Sequence, residues 1–169
     1  MKPEDAKTIG TFLLDTLEAE IPITVGVFAA VPASRLDYRP DGLSKTALDL
    51  VRHITLEDEW FLNAIIEGRF GSMPDQCDAC GLMNPANCAA LYPDRMSAAI
   101  SRVRQLSGDE LARQLDMFGF IQMPAVGFLS LLIRHSAHHR GQLSAYLRAM
   151  GGKVPSIYGP SADTATGSV

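Results

Sequence analysis

Apolar residues recur at spacings of three and four along four stretches of the chain, while the strict alternation that marks strands is almost absent. The first stretch runs from about Glu4 to about Ala30, opened by Pro3 and the acidic pair Glu4-Asp5, which suit the positive end of a helix. Its expected buried stripe is Ile9, Phe12, Leu13, Leu17, Ile23 and Val27. Pro22 lacks a backbone donor and is expected to kink or split this helix. The second stretch spans about Ser44 to Ile66, with Ser44 or Thr46 as N-cap and Gly68 as its stop. The third begins near Pro93 and packs Met96, Ala99, Ile100 and Val103. It ends before Ser107-Gly-Asp-Glu110, whose spacing is that of a capping box opening a short further helix.

The fourth stretch runs from about Pro124, a suitable first helical residue, to Met150, where Gly151-Gly152 stops it. Its expected inward stripe is Phe128, Leu131, Leu132, His135, His139, Gln142 and Tyr146; Arg134, Ala137, Gly141, Ser144 and Arg148 face outward. Residues 71–92 show no clear period and read as an irregular, cysteine-containing loop, and residues 152–169 read as an extended tail. One domain over residues 1–169 is expected. The fold class that follows is all-α, a four-helix bundle whose long connection lets the second and third helices run parallel.

A chain of 169 residues with a 47% hydrophobic content is long enough to bury a core without staples. Net charge is −4 and the cationic residues are scattered, which argues against a nucleic-acid partner. No apolar run suggests a membrane span, and Met1-Lys2-Pro3-Glu4-Asp5 lacks the features of an export signal, so a cytoplasmic protein is expected. The three cysteines then read as thiols. Cys77-Asp-Ala-Cys80 and Cys88 are taken as loop thiols, with zinc binding or redox sensing as alternatives.

The histidines change the picture. His135 and His139 stand one helical turn apart and project from one face, so both imidazoles can approach a single metal ion. Ser136 stands where an H-E-x-x-H zinc protease carries its glutamate, which removes that reading. His53 is the one histidine outside the fourth stretch, and it lies in an apolar arc that also holds Glu57. Ionisable groups on a buried face are costly unless compensated, and a metal ion would compensate them. His138 falls to one side as a packing or supporting residue, and Gln142 is placed to orient a histidine. Plain helical packing with no metal is the bland alternative.

The run His135-Ser-Ala-His138-His139-Arg140-Gly141-Gln142-Leu143, continuing to Gly151, resembles the C-terminal signature of the DinB family within the DinB/YfiT-like metalloproteins. The stretch from Ala47 through His53 and Glu57 to Trp60-Phe61 resembles that family's first metal-histidine region. Asp37-Tyr38-Arg39-Pro40 and Val154-Pro155-Ser156-Ile157-Tyr158-Gly159 are similar to other parts of it, while the loop from Cys77 to Cys88 departs from it. The resemblance implies a four-helix bundle, a divalent metal such as zinc or nickel on His53, His135 and His139, and a homodimer. It also implies chemistry on small molecules, in some relatives with a low-molecular-weight thiol as cosubstrate.

Two functional classes follow. In the first, an enzyme transfers a metal-activated thiol or water to a small electrophile, with Glu57 handling the proton and Trp60 and Tyr146 lining the pocket. In the second, a stress-linked, non-enzymatic dimer holds a structural or sensory metal, for which four protein ligands are the norm.

Overall fold

The computed structural model describes residues 1–75 and 81–165. The chain forms helix α1 (Pro3–Ala29), a 3-10 turn (Ala33–Arg35), α2 (Ala47–Glu67), α3 (Pro85–Arg104), the short α4 (Gly108–Ala112), strands β1 (Gln114–Met117) and β2 (Ile121–Pro124), and α5 (Ala125–Ala149). Capping chemistry fixes several ends. Thr46 Oγ1 accepts from the Asp49 amide at 3.1 Å to open α2, and Gly68, at φ 75°, closes it in the left-handed conformation that costs glycine least. At α4 Ser107 and Glu110 form the expected reciprocal capping box.

Side-chain contacts set the directions of the long helices. Lys7 Nζ, near the start of α1, donates to the carbonyls of Arg104 and Leu106 at the end of α3, so these two run antiparallel. Asp58 with Tyr92, Glu59 with Arg95, and Asn63 with Arg102 show α2 and α3 running parallel. His53 meets His139 while Phe61 meets His135, so α2 and α5 are antiparallel. Gly10 faces Val126 and Glu20 meets Arg140, so α1 and α5 are parallel. The ring is therefore α1–α3–α2–α5, and α1 and α2, consecutive in sequence, lie across its diagonal. This is the four-helix bundle with parallel second and third helices that the pattern predicts.

The core is filled by Leu14, Leu17 and Phe28 of α1, Ile54, Leu62 and Ile65 of α2, Met96, Ile100 and Val103 of α3, and Phe128, Leu132 and Leu147 of α5. Burying each such side chain contributes about 1.5–3 kcal/mol before chain entropy is charged against it. No helix among the described residues is long and apolar enough to cross a membrane.

Several expectations are corrected. The third helix starts at Pro85, eight residues earlier than Pro93 implied, because Asn84 caps it through the Asn87 amide at 2.9 Å and Pro85 fills its first turn. Pro93 lies inside that helix, and residues 85–92 are not loop. Cys88 is accordingly a buried helix residue rather than a loop thiol, whereas Cys77 and Cys80 lie outside the described residues. Pro22 does not split α1. The α1 stripe is displaced in part: Leu17 and Val27 are buried as expected, but Phe12 is 70% exposed, and Ala6, Gly10, Leu14 and Ile21 face inward. Small residues there admit neighbours closely, as Gly10 does Leu111. Between α4 and α5 the chain makes a β-hairpin, with Leu115 opposite Met123 and Met117 opposite Ile121. Pro124 ends β2 and stands just before α5, outside its first turn.

Candidate metal centre

Two antiparallel helices bring the three candidate ligands together. His53 is buried on α2, and His135 and His139 are half-buried on α5. One ring nitrogen or another from each lies within 4.8 Å of the others. His53 Nε2 and His139 Nε2 are 2.9 Å apart, and the His135 ring packs 5.1 Å from His53 and 4.5 Å from His139. On α5 the fully buried line is Leu132, Ser136, Arg140 and Leu143. The expected inward stripe is thus turned, with His135 and His139 on the margin of the buried face, where clefts can reach them.

Oxygen acceptors surround these rings. Glu57 Oε1 lies 2.8 Å from His53 Nδ1 and Glu57 Oε2 3.3 Å from His135 Nε2. Gln142 Oε1 meets His139 Nδ1 at 2.7 Å, the orienting role its spacing suggested. Asp58, fully buried, is a site residue that periodicity did not disclose. Its Oδ2 accepts from Tyr92 Oη at 2.7 Å, while its Oδ1 stands 3.9 Å from His135 Nδ1. Neither Asp58 Oδ1 nor His135 Nδ1 makes a hydrogen bond. The signal that could have found Asp58 is the adjacency of two acids on an otherwise apolar arc of α2.

The electrostatics follow from burial and these partners. Burial raises the Glu57 pKa, but hydrogen bonds from His135 and His53 outweigh it and bring the carboxyl down to about 2. Burial pushes His135 down, but Asp58 and Glu57 overcome it and raise the imidazole to about 9. Burial drives His139 down to about 4, helped by the neighbouring histidines and opposed by Gln142. Without an ion, the buried carboxylates hold a proton on His135. The donor set fits a metal ion: three imidazoles converge, and orphaned polar atoms on Asp58 and His135 mark a cluster whose charge balance is incomplete. Imidazole donors suit zinc or nickel.

Two clefts border the centre. One, of about 510 Å³, is walled by Trp60, Phe61 and Leu131 and by the hairpin residues Met117, Phe118 and Phe120, with Glu57 and His135 in its lining. The other, of about 480 Å³, is more polar and contains Asp41, Ser44, Lys45, His139, Gln142 and Tyr146. Trp60 and Tyr146 thus both line pockets, one in each cleft. His138 is exposed and touches the cluster only through a ring contact of 5.0 Å with His139. Burial pushes the Cys88 thiol up, and the residue stays in the core, away from the ligand group.

Residues 10–167 match the model of the DinB family. The uncharacterised protein YjoA of Bacillus subtilis is 31% identical over 116 residues, 68% of this chain and 73% of YjoA. The crystal structure of YjoA, a DinB-like protein, superposes with a TM-score of 0.67 at 21% identity, over 88% of this chain and 99% of that one. A DinB-like protein from Bacillus cereus gives a TM-score of 0.71 at 23% identity, over 86% and 95%. YfiT of Bacillus subtilis, described as a probable metal-dependent hydrolase with an unusual four-helix bundle topology, gives 0.68 at 16% identity, over 84% and 87%.

Proposed function

This chain belongs to the DinB family, and we propose on that premise that it is a metal-dependent enzyme acting on small electrophilic molecules, with a thiol or water as nucleophile. The observation that carries the reading is the convergence of His53, His135 and His139 at a point bordered by two clefts of different polarity. The ligand group among the described residues has three donors, which suits an open catalytic centre better than a closed structural one. This disfavours the non-enzymatic alternative.

The chemistry a divalent ion supplies in such a site is Lewis acidity, which lowers the pKa of water or a thiol toward neutrality. The protein's own groups do the rest. Glu57 holds the His53 ring through Nδ1, and Gln142 holds His139 through its Nδ1. Glu57 lines the apolar cleft as an anion at neutral pH, the form that accepts a proton. With a pKa of about 2 it is a weak base while both imidazoles hold it, so its first role is to position them. The polar cleft beside His139 suits a hydrophilic cosubstrate such as a low-molecular-weight thiol, and this favours thiol transfer over hydrolysis.

Elemental analysis of the purified protein, His53→Ala and His139→Ala tests the centre, with thiol-transfer and hydrolysis screens following. About one zinc or nickel per chain, lost in both variants, is expected, with activity lost alongside it. Metal retained in both variants, or full activity without it, refutes the proposal. A cytoplasmic homodimer is part of the same proposal; a monomer by light scattering would remove that element alone.

A further inference from the structure

The apolar cleft has a wall that the metal centre does not need. In the hairpin the Phe120 amide donates to the Met117 carbonyl at 3.0 Å, closing a turn whose central residues, Phe118 and Gly119, have φ of 57° and 73°. Two consecutive positive φ values are the pattern of a type I′ turn, a position where asparagine then glycine is usual. A phenylalanine at positive φ is strained, and strain of this kind is characteristic of functional positions. The strained backbone sets the Phe118 ring, 61% exposed, nearly parallel to Trp60, at 19° and 6.2 Å between centroids. Trp60 is also backed by Phe70 at 4.8 Å. From this aromatic wall the cleft, about 510 Å³, extends to Glu57 and His135. That volume is within the range that small-molecule sites occupy.

We propose that this cleft is the subsite for an uncharged aromatic group of the substrate, held against Trp60 and Phe118 with its reactive end toward His135. The inference rests on the metal-enzyme reading only for the direction of that end. The occupant is a small molecule, because the cleft has a small-molecule volume and its lining runs from the aromatic wall to Glu57 and His135. A charged ring is disfavoured along the wall by Trp60, Phe61, Met117, Phe118 and Leu131, apolar side chains that offer it no counter-ion.

Trp60 is the single tryptophan of the chain, so its fluorescence reports on this cleft directly. The probe is 4-nitrobenzyl alcohol, a neutral aromatic quencher, titrated into the native protein, Phe118→Gly and Leu131→Gln. Phe118→Gly removes the ring while relieving the positive φ, so the fold is kept. Leu131→Gln places an amide in the wall. Saturable quenching is expected in the native protein, weakened about tenfold in each variant. A linear, non-saturating response in the native protein, or binding in both variants as tight as in the native protein, would overturn the subsite. So would a change of oligomeric state in Phe118→Gly, which would assign the exposed ring to a second copy of the chain. Metal content measured on the same samples separates the two readings. One metal per chain with no saturable quenching refutes the cleft alone, and saturable quenching with no metal refutes the enzyme proposal alone.

Discussion

His139 and Arg140 are adjacent on α5, yet they belong to two buried polar clusters with opposite charge balance. Arg140, 1% exposed, brings its own cation. It pairs with Glu20, donates to Thr24 Oγ1 at 3.2 Å, and meets Tyr158 Oη at 2.8 Å, which also donates to Glu20 at 2.9 Å. The cluster ties the C-terminal tail to α1. On the other side of the helix, His53, Glu57, Asp58, His135 and His139 include two buried carboxylates and no arginine or lysine, and the Asp58 and His135 atoms that face each other make no hydrogen bond. A desolvated carboxylate needs a positive partner. The Arg140 cluster contains that partner, and the histidine cluster takes it from solution, as a proton on His135 or, in the proposed centre, as a metal ion.

The contrast can be broken from either side. The largest effect is expected for Arg140→Ala, which strands Glu20 and should cost about 3–5 kcal/mol in chemical denaturation, with or without metal. Next is addition of the metal, which should stabilise the native protein by about 2.7 kcal/mol at a hundredfold excess over its dissociation constant, and should do nothing for His53→Ala. This effect has a defined pH sign. The His135 pKa is raised from its ordinary 6.5 to about 9, so in the metal-free protein its contribution to stability is complete below pH 6.5 and is lost as pH rises toward 9. Metal must displace that proton, so binding tightens over the same interval, and close to one proton should be released per ion near pH 7.5 in paired-buffer calorimetry. Thermal midpoints of the two forms should therefore diverge between pH 6.5 and 9; parallel curves would remove His135 from the ligand set.

A smaller effect is expected at Asp58→Asn, which keeps an acceptor for Tyr92 but removes the charge facing His135. Metal affinity should fall about 10–100-fold by competition titration while the denaturation midpoint changes little. Unchanged affinity would mean that Asp58 serves Tyr92 alone. Smallest is Tyr158→Phe, which deletes one hydroxyl from the Arg140 cluster. Because Tyr158 is largely exposed, the cost should be at most about 1 kcal/mol, with metal affinity untouched.

Features encoded within one turn of helix were legible in the sequence. Thr46, Gly68 and the Ser107–Glu110 box mark helix ends through contacts three or four residues away, and the spacing of His135 and His139 already states that they share a face. What escaped depends on partners far along the chain. Arg140 falls on neither expected stripe of the fourth stretch, and its role shows only once Glu20, 120 positions earlier, is placed beside it. The start of α3 was masked because Pro93 looks like a stronger helix signal than Asn84-Pro85. The hairpin strands are four residues each and mostly half-buried or exposed, too short and too evenly wetted to show alternation. Ala6 and Gly10 of α1 escaped because glycine and alanine do not count as core until a neighbouring helix presses on them.

The separation of the candidate ligands along the chain has a bearing on biosynthesis. His53 and His139 lie 86 positions apart, on helices that meet only when the last one docks. A ribosome that has emitted α1 through α3 has exposed a single imidazole of the three, too few to retain a divalent ion against cellular competitors. In the proposed centre, loading therefore waits for α5, and metal occupancy would read out whether that helix has been synthesised and seated.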